Sequence, residues 1–258
     1  MWRRIASGAF WAFLASSSIL LFPVALLLWA ATAPFDRRKV LLHRFTCFWA
    51  SLYTWANPAW LLRISGRDRI QPGQTYVMVA NHLSLLDILV LFRLFRHFKW
   101  VSKIENFRIP FVGWNMSLNG YVKLKRGDRE SVLQMLEACR RTLARGSSIM
   151  MFPEGTRSPD GRMREFKTGA FQLALEQNLS ILPIAIQGTA AALPKRGFVL
   201  QGRHPIRVTL LEPLQPALFT GWDAAQLAKE TRERIRAVVE EPAGAGVLER
   251  PRLEDSDG

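Results

Sequence analysis

The chain has 258 residues, 49% hydrophobic and 22% charged, which fits one medium domain with an appendage and excludes a disordered or collagen-like polymer. Its two cysteines, Cys47 and Cys139, make neither a disulfide framework nor a four-cysteine metal site. The 35 Lys and Arg against 21 Asp and Glu give +14; residues 223–258 carry 6 basic and 9 acidic groups, a net −3, which leaves +17 on 1–222. Such a field attracts an anionic partner: nucleic acid, an anionic membrane, or a phosphorylated substrate.

Residues 9–33 hold no charge over 25 positions, enough for a helix to cross a hydrocarbon core of about 30 Å. The run exceeds the apolar region of roughly 7–15 residues in a cleavable signal, although Ala30-Ala31-Thr32-Ala33 resembles a cleavage site. A retained membrane element is the preferred reading, and it disfavours nucleic acid as the partner. Arg3 and Arg4 precede the run, while Arg37, Arg38, Lys39 and Arg44 follow it. That bias points the bulk of the chain toward the cytoplasm, on the inner (cytoplasmic) membrane. A second apolar stretch, 40–62, contains His43, Arg44 and the interfacial rings Trp49, Tyr53 and Trp55. If both stretches crossed, Arg37 to Lys39 would lie outside. The expectation for 1–65 is therefore a two-helix hairpin dipping into one leaflet, with a single span as the alternative.

The remainder, 66–240, is expected to be one α/β domain, a mixed sheet covered by helices. Residues 76–80 form a buried-strand pattern, followed by a helix over 84–95. Val122 and Leu124 alternate with Lys123 and Lys125 as an exposed strand face would. A helix starts at Asp128 or Ser131 and stops at Gly146, with Cys139 on its apolar stripe. Residues 148–152 are a strand broken by Pro153, and 153–164 a loop. A helix over 168–177, strands at 181–186 and 206–211, and a helix over 223–239 opened by Asp223 and Gln226 complete the alternation. Residues 241–258 are expected to form a disordered acidic tail.

Two strand-to-helix junctions carry chemistry. In Asn81-His82-Leu-Ser84-Leu-Leu-Asp87 a carboxylate one turn into a helix can hold the imidazole tautomer and stabilise the imidazolium. Ser84-x-x-Asp87 is equally a helix-start motif. In Phe152-Pro153-Glu154-Gly155-Thr156-Arg157-Ser158 the glycine permits close backbone approach, Thr156 offers a hydroxyl and Arg157 a phosphate fork. Lys103 and Arg126 are further cations, each by itself an ordinary surface charge.

In order along the chain, these blocks resemble the glycerolipid acyltransferases, in particular the 1-acylglycerol-3-phosphate acyltransferase branch found in bacteria. Asn81-His82-x4-Asp87 is similar to that family's His-x4-Asp signature. Lys103 to Pro110 with Gly113 and Gly120-x5-Arg126 is similar to its second block, 152–158 to its third, and Ile181-Leu-Pro183-Ile-Ala-Ile186 to its fourth. The resemblance covers roughly 70–215, and the apolar preface also matches. It implies His82 as general base on the 2-hydroxyl of a lysophospholipid, Asp87 as its orienting acid, and direct attack on a thioester. It implies that Lys103, Arg126, Glu154, Gly155, Thr156 and Arg157 hold the glycerol phosphate. Pro183 would bound the acyl groove or shape the site. The implied donor is acyl-CoA or acyl-carrier protein, with no metal and no other cofactor.

A serine hydrolase would need a Gly-x-Ser-x-Gly elbow, and a zinc enzyme a His-Glu-x-x-His or paired cysteines; neither pattern occurs. A membrane-tethered module binding anionic lipid explains the charge but not the co-occurrence of the four blocks. Other lysolipids, lyso-ornithine lipid among them, remain alternative acceptors.

Overall fold

The computed structural model describes residues 1–157, 162–195 and 197–240, so the expected acidic tail over 241–258 lies outside the described residues. Seven strands form a single sheet: β1 (Trp60–Ser65), β2 (Tyr76–Ala80), β3 (Phe98–Lys103), β4 (Val122–Leu124), β5 (Ser148–Met151), β6 (Ser180–Gln187) and β7 (His204–Leu210). Their order is β1-β7-β6-β2-β5-β3-β4, parallel at every pair except β6–β7. The mixed α/β sheet expected from the alternation is present.

The central strands are buried on both faces, which explains their unbroken apolar runs. Met78 and Met150 face a core shared with α1 (Trp2–Thr32), α2 (Val40–Trp55) and α3 (Leu86–Phe92). Val77, Val79, Ile149 and Met151 face a second core built with α5 (Arg129–Ala144), α6 (Gly169–Glu176) and α8 (Ala224–Glu240). Two short helices, α4 (Val112–Leu118) and α7 (Thr189–Ala192), lie between strands. Local chemistry sets several ends. The Asp128 carboxylate accepts from Ser131 N at 3.0 Å and caps α5. Asp223 and Gln226 exchange backbone-to-side-chain bonds of 2.7 and 2.8 Å ahead of α8.

The preface departs from a simple hairpin. Helix α2 ends at Trp55, and Trp60–Ser65 is an edge strand paired in parallel with β7. The apolar stretch 40–62 is thus a helix and the start of a strand, separated by Asn57-Pro58. Its hydrophobicity ran on because Trp60, Leu62 and Ile64 pack toward the core from alternate positions of β1. A boundary after residue 65 therefore cuts β1 from its own sheet.

Helix α1 lies along the domain. Its buried residues Ser7, Phe10, Ser17, Ser18, Ala25 and Thr32 make one stripe from end to end. The Ser17 and Ser18 hydroxyls lie 3.0 and 3.3 Å from the Tyr53 hydroxyl of α2. Near its other end, Phe22 packs edge-on against Phe111 and Trp114. The opposite face is apolar and uncovered: Leu20 is 73% and Leu27 71% exposed.

Candidate active site

His82, Lys103, Arg126 and Glu154 all sit at or just past the C-terminal ends of β2, β3, β4 and β5, four strands adjacent and parallel in the sheet. Open α/β sheets bind ligands at that edge. Register does the close positioning. Val79 of β2 lies opposite Met151 of β5, so the residues three further on, His82 and Glu154, meet. The His82 N–H donates to Glu154 Oε1 at 2.6 Å. Across the next pair, Lys103 at the end of β3 lies opposite Leu124 of β4, two residues before Arg126.

His82 is 8% exposed and Asp87 is fully buried. The His82 Nδ1–H donates to Asp87 Oδ2 at 2.9 Å, since a carboxylate only accepts. The same oxygen accepts from Leu83 N at 2.7 Å and Ser84 N at 2.8 Å. Both readings of Ser84-x-x-Asp87 therefore hold at one atom: Asp87 closes the helix start and orients the histidine. Asp87 Oδ1 is buried without a hydrogen bond among the described residues. A carboxylate against the imidazole can stabilise the imidazolium that forms when His82 takes up a proton.

The imidazole plane is fixed as well. Phe152 stacks on it at 4.0 Å and 11°, and Trp100 lies against Phe152 at 5.4 Å. Asn81 forms an extra rung with β6, donating to Ile186 O at 2.9 Å and accepting from Ile186 N at 2.8 Å. The fourth block thus supports the histidine loop from beneath. Pro183 itself lies within β6, opposite Val79 of β2.

One cavity adjoins this dyad and a second lies beyond Glu154. An apolar one of about 410 Å³ runs from His82 and Phe152 past Trp100 to Phe10, Trp11 and Tyr53, with Lys103 and Arg126 also on its wall. A polar basin of about 690 Å³ is bordered by Gly155, Thr156, Arg164, Lys167, Arg232 and again Arg126. Arg126 is the residue common to both walls. Burial pulls its guanidinium below the ordinary range; Glu105 opposes that and nearby Arg157 adds to it.

The other expected ligands are placed unevenly. Lys103 lies beside Glu105, Nζ to Oε1 at 3.1 Å. Arg157 borders neither cavity, though its carbonyl accepts from Lys195 Nζ at 2.7 Å. Glu154 is buried with both carboxylate oxygens engaged, Oε1 by His82 N and Oε2 by Arg164 N at 3.0 Å. Burial raises its pKa, and the two amide donors work against that rise. Its work is to join the two loops, a positioning role. Gly155 adopts φ +72°, and a Cβ there would lie 3.0 Å from the Lys167 side chain.

Lys167 and Arg164 were not singled out in the sequence, nor was Arg232, which arrives from α8 and donates to the carbonyls of Met163 and Arg164. Spacing alone carries no signal for a clamp nearly 70 residues away. Lys167 is expected to be an anion ligand: Lys167→Ala should raise the KM for a phosphorylated acceptor about tenfold and keep kcat within about twofold, the cost of one charged hydrogen bond. Steady-state kinetics showing an unchanged KM would remove it from the site.

The acyltransferase family model matches residues 61–187, from β1 to the end of β6. A lyso-ornithine lipid O-acyltransferase of Pseudomonas aeruginosa is 30% identical over 211 residues, covering 76% of this chain and 78% of that protein. The chain belongs to the acyltransferase family. A 1-acyl-sn-glycerol-3-phosphate acyltransferase of Chlamydomonas reinhardtii shares 39% identity with this family member over 227 residues, 87% of the chain and 66% of the relative. The chain spans two thirds or less of the algal, Arabidopsis and Brassica relatives it matches, at 66%, 55% and 57%. The crystal structure of the 1-acyl-sn-glycerophosphate acyltransferase PlsC from Thermotoga maritima shares its fold, with a TM-score of 0.73 over 93% of this chain and 97% of that one, at 23% identity.

Proposed function

We propose that this acyltransferase moves an acyl group from acyl-CoA or acyl-carrier protein to the 2-hydroxyl of 1-acylglycerol-3-phosphate, giving phosphatidic acid. The observation that carries this reading is the His82–Asp87 pair set where an apolar cavity and a cationic basin share Arg126. An acceptor with one acyl chain and one phosphate needs that juxtaposition. Asp87 holds the Nδ1 proton, so His82 Nε2 takes the proton of the acceptor hydroxyl. The oxygen attacks the thioester carbonyl, the C–S bond breaks as the tetrahedral intermediate collapses, and the imidazolium returns its proton to the departing thiolate. Holding two lipidic reactants at one edge supplies much of the rate enhancement.

Membrane anchoring completes the reading. The buried stripe of α1 spans its whole length while its other face stays apolar and bare, which supports a helix lying in one leaflet with the domain beneath it. A helix crossing the bilayer would give up most of those contacts. The cations around the α1–α2 turn support a cytoplasmic site at the inner membrane of a bacterium, docked on anionic lipid.

The two-way coverage of the Pseudomonas relative favours lyso-ornithine lipid as the second reading of the acceptor. Membranes containing the chain, given labelled acyl-CoA or acyl-carrier protein and both acceptors, decide between them. Phosphatidic acid as the main product is the expected result. Preferential acylation of the lyso-ornithine lipid would overturn the phosphate assignment, and no product with any pair would overturn the activity.

A further inference from the structure

The segment 197–202, between α7 and β7, runs along the first turns of α1. Trp11 Nε1 donates to Phe198 O at 2.7 Å and the two rings pack edge-on at 5.6 Å. One turn back, Leu200 N donates to Ser7 Oγ at 2.9 Å, and Gly202 lies beside the Arg3 guanidinium. Residues 3, 7 and 11 share one helix face, so the segment is fastened along two turns. Residues ahead of it in the chain are fastened to the site. Ser84 Oγ of the histidine loop donates to Leu193 O at 2.6 Å, and Lys195 Nζ donates to the Arg157 carbonyl at 2.7 Å.

Phe198 is nonetheless 73% exposed. Its backbone is held while its ring stands outward, and the exposed cations Arg3 and Arg203 lie at the other end of the segment, where Gly202 meets the Arg3 guanidinium. An exposed aromatic ring on a segment that also ends in exposed cations suits the interface of an anionic leaflet. Trp11 is also a wall of the apolar cavity, so the ring it supports stands beside the space a lipid chain would occupy.

We propose that 197–202 is a second membrane contact, which inserts Phe198 into an anionic leaflet and ties that leaflet to the loops carrying His82 and Arg157. The proposal rests on the membrane reading of α1. It goes beyond that reading by assigning lipid contact to a catalytic-domain loop.

Both native cysteines are buried, so Phe198→Cys in the full chain accepts a thiol-reactive fluorophore selectively. Arg141→Cys, exposed on α5 behind the sheet, is the comparison site. On phosphatidylcholine–phosphatidylglycerol vesicles with nitroxide in the acyl chains, the probe at 198 should be quenched several-fold more than the probe at 141. Vesicle-bound protein with equal quenching at the two sites would overturn the proposal and leave the α1 anchor standing. Protein that does not float with vesicles would instead overturn the anchor and the proposal with it. Phe198→Ser should raise the KM for vesicle-borne acceptor about tenfold, in line with losing one buried aromatic side chain. Turnover of a monomeric short-chain acceptor should stay within about twofold; equal losses on both acceptors would again sink the idea.

Discussion

In His82→Ala, acyl transfer falls by about a thousandfold, within the range a positioned general base contributes, while the amount of protein in the membrane stays at the wild-type level. The expectation follows from what surrounds the ring. Among the described residues nothing else at the edge of β2 is built to take a proton from the acceptor: Glu154 has both oxygens on backbone amides, and Asp87 is enclosed behind His82. Truncation leaves the Glu154 bond to the residue 82 N–H intact, because that contact is backbone. It also frees the Asp87 oxygen from one of three donors only. The loop should therefore keep its shape and the acceptor its KM. His82→Gln, which refills the space against Phe152, guards against a packing artefact and should be as inactive as the alanine variant. Wild-type turnover in either, measured with labelled acyl donor at equal membrane abundance, would remove His82 as base and revive a lipid-binding role for the site.

The parts of this site that depend on local order were visible in the chain. A five-residue apolar run followed by Asn81-His82 and a carboxylate five positions on specifies strand, loop and first helical turn, and the structure adds only that Asp87 Oδ2 serves both functions weighed for it. The junction at 152–157 was visible for the same reason. What joins the two was not. The 2.6 Å bond from His82 to Glu154 exists because β2 and β5 are neighbours in one register, although 72 residues separate the two. Glu154, expected as a phosphate ligand, stands at the edge of the polar basin with both carboxylate oxygens on backbone amides. Phe152 looked like the last residue of a strand and is the surface on which the imidazole rests. The edge strand β1 was hidden for a different reason. β1 begins shortly after a helix of similar hydrophobicity ends, so no change in composition marks the switch. Leu61, apolar yet on the outward face of β1, blurs the period-two signal of a half-buried strand.

Asp87→Asn should be nearly as costly as losing the base, by about 10²- to 10⁴-fold in kcat, with the acceptor KM within about threefold because Asp87 does not border either cavity. Three N–H groups converge on Oδ2: His82 Nδ1, Leu83 N and Ser84 N. An asparagine can place its oxygen there, and its NH2 then occupies the buried position where Oδ1 finds no partner among the described residues. In the other rotamer its NH2 faces three donors. Either arrangement keeps the volume and removes the charge that stabilises imidazolium. The first preserves the wild-type tautomer and loses electrostatics alone; the second favours the tautomer that points an acceptor at the introduced amide and a proton at the substrate. The loss should therefore appear in kcat, whereas a merely structural role for Asp87 would lower the folded fraction and leave the kcat of the folded enzyme unchanged. Active-site titration beside thermal unfolding separates these. The double variant His82→Ala/Asp87→Asn decides whether the two act as one unit. It should be no slower than His82→Ala alone, since Asp87 works only through the ring it orients. Multiplied losses would mean that Asp87 contributes by a route that does not pass through His82.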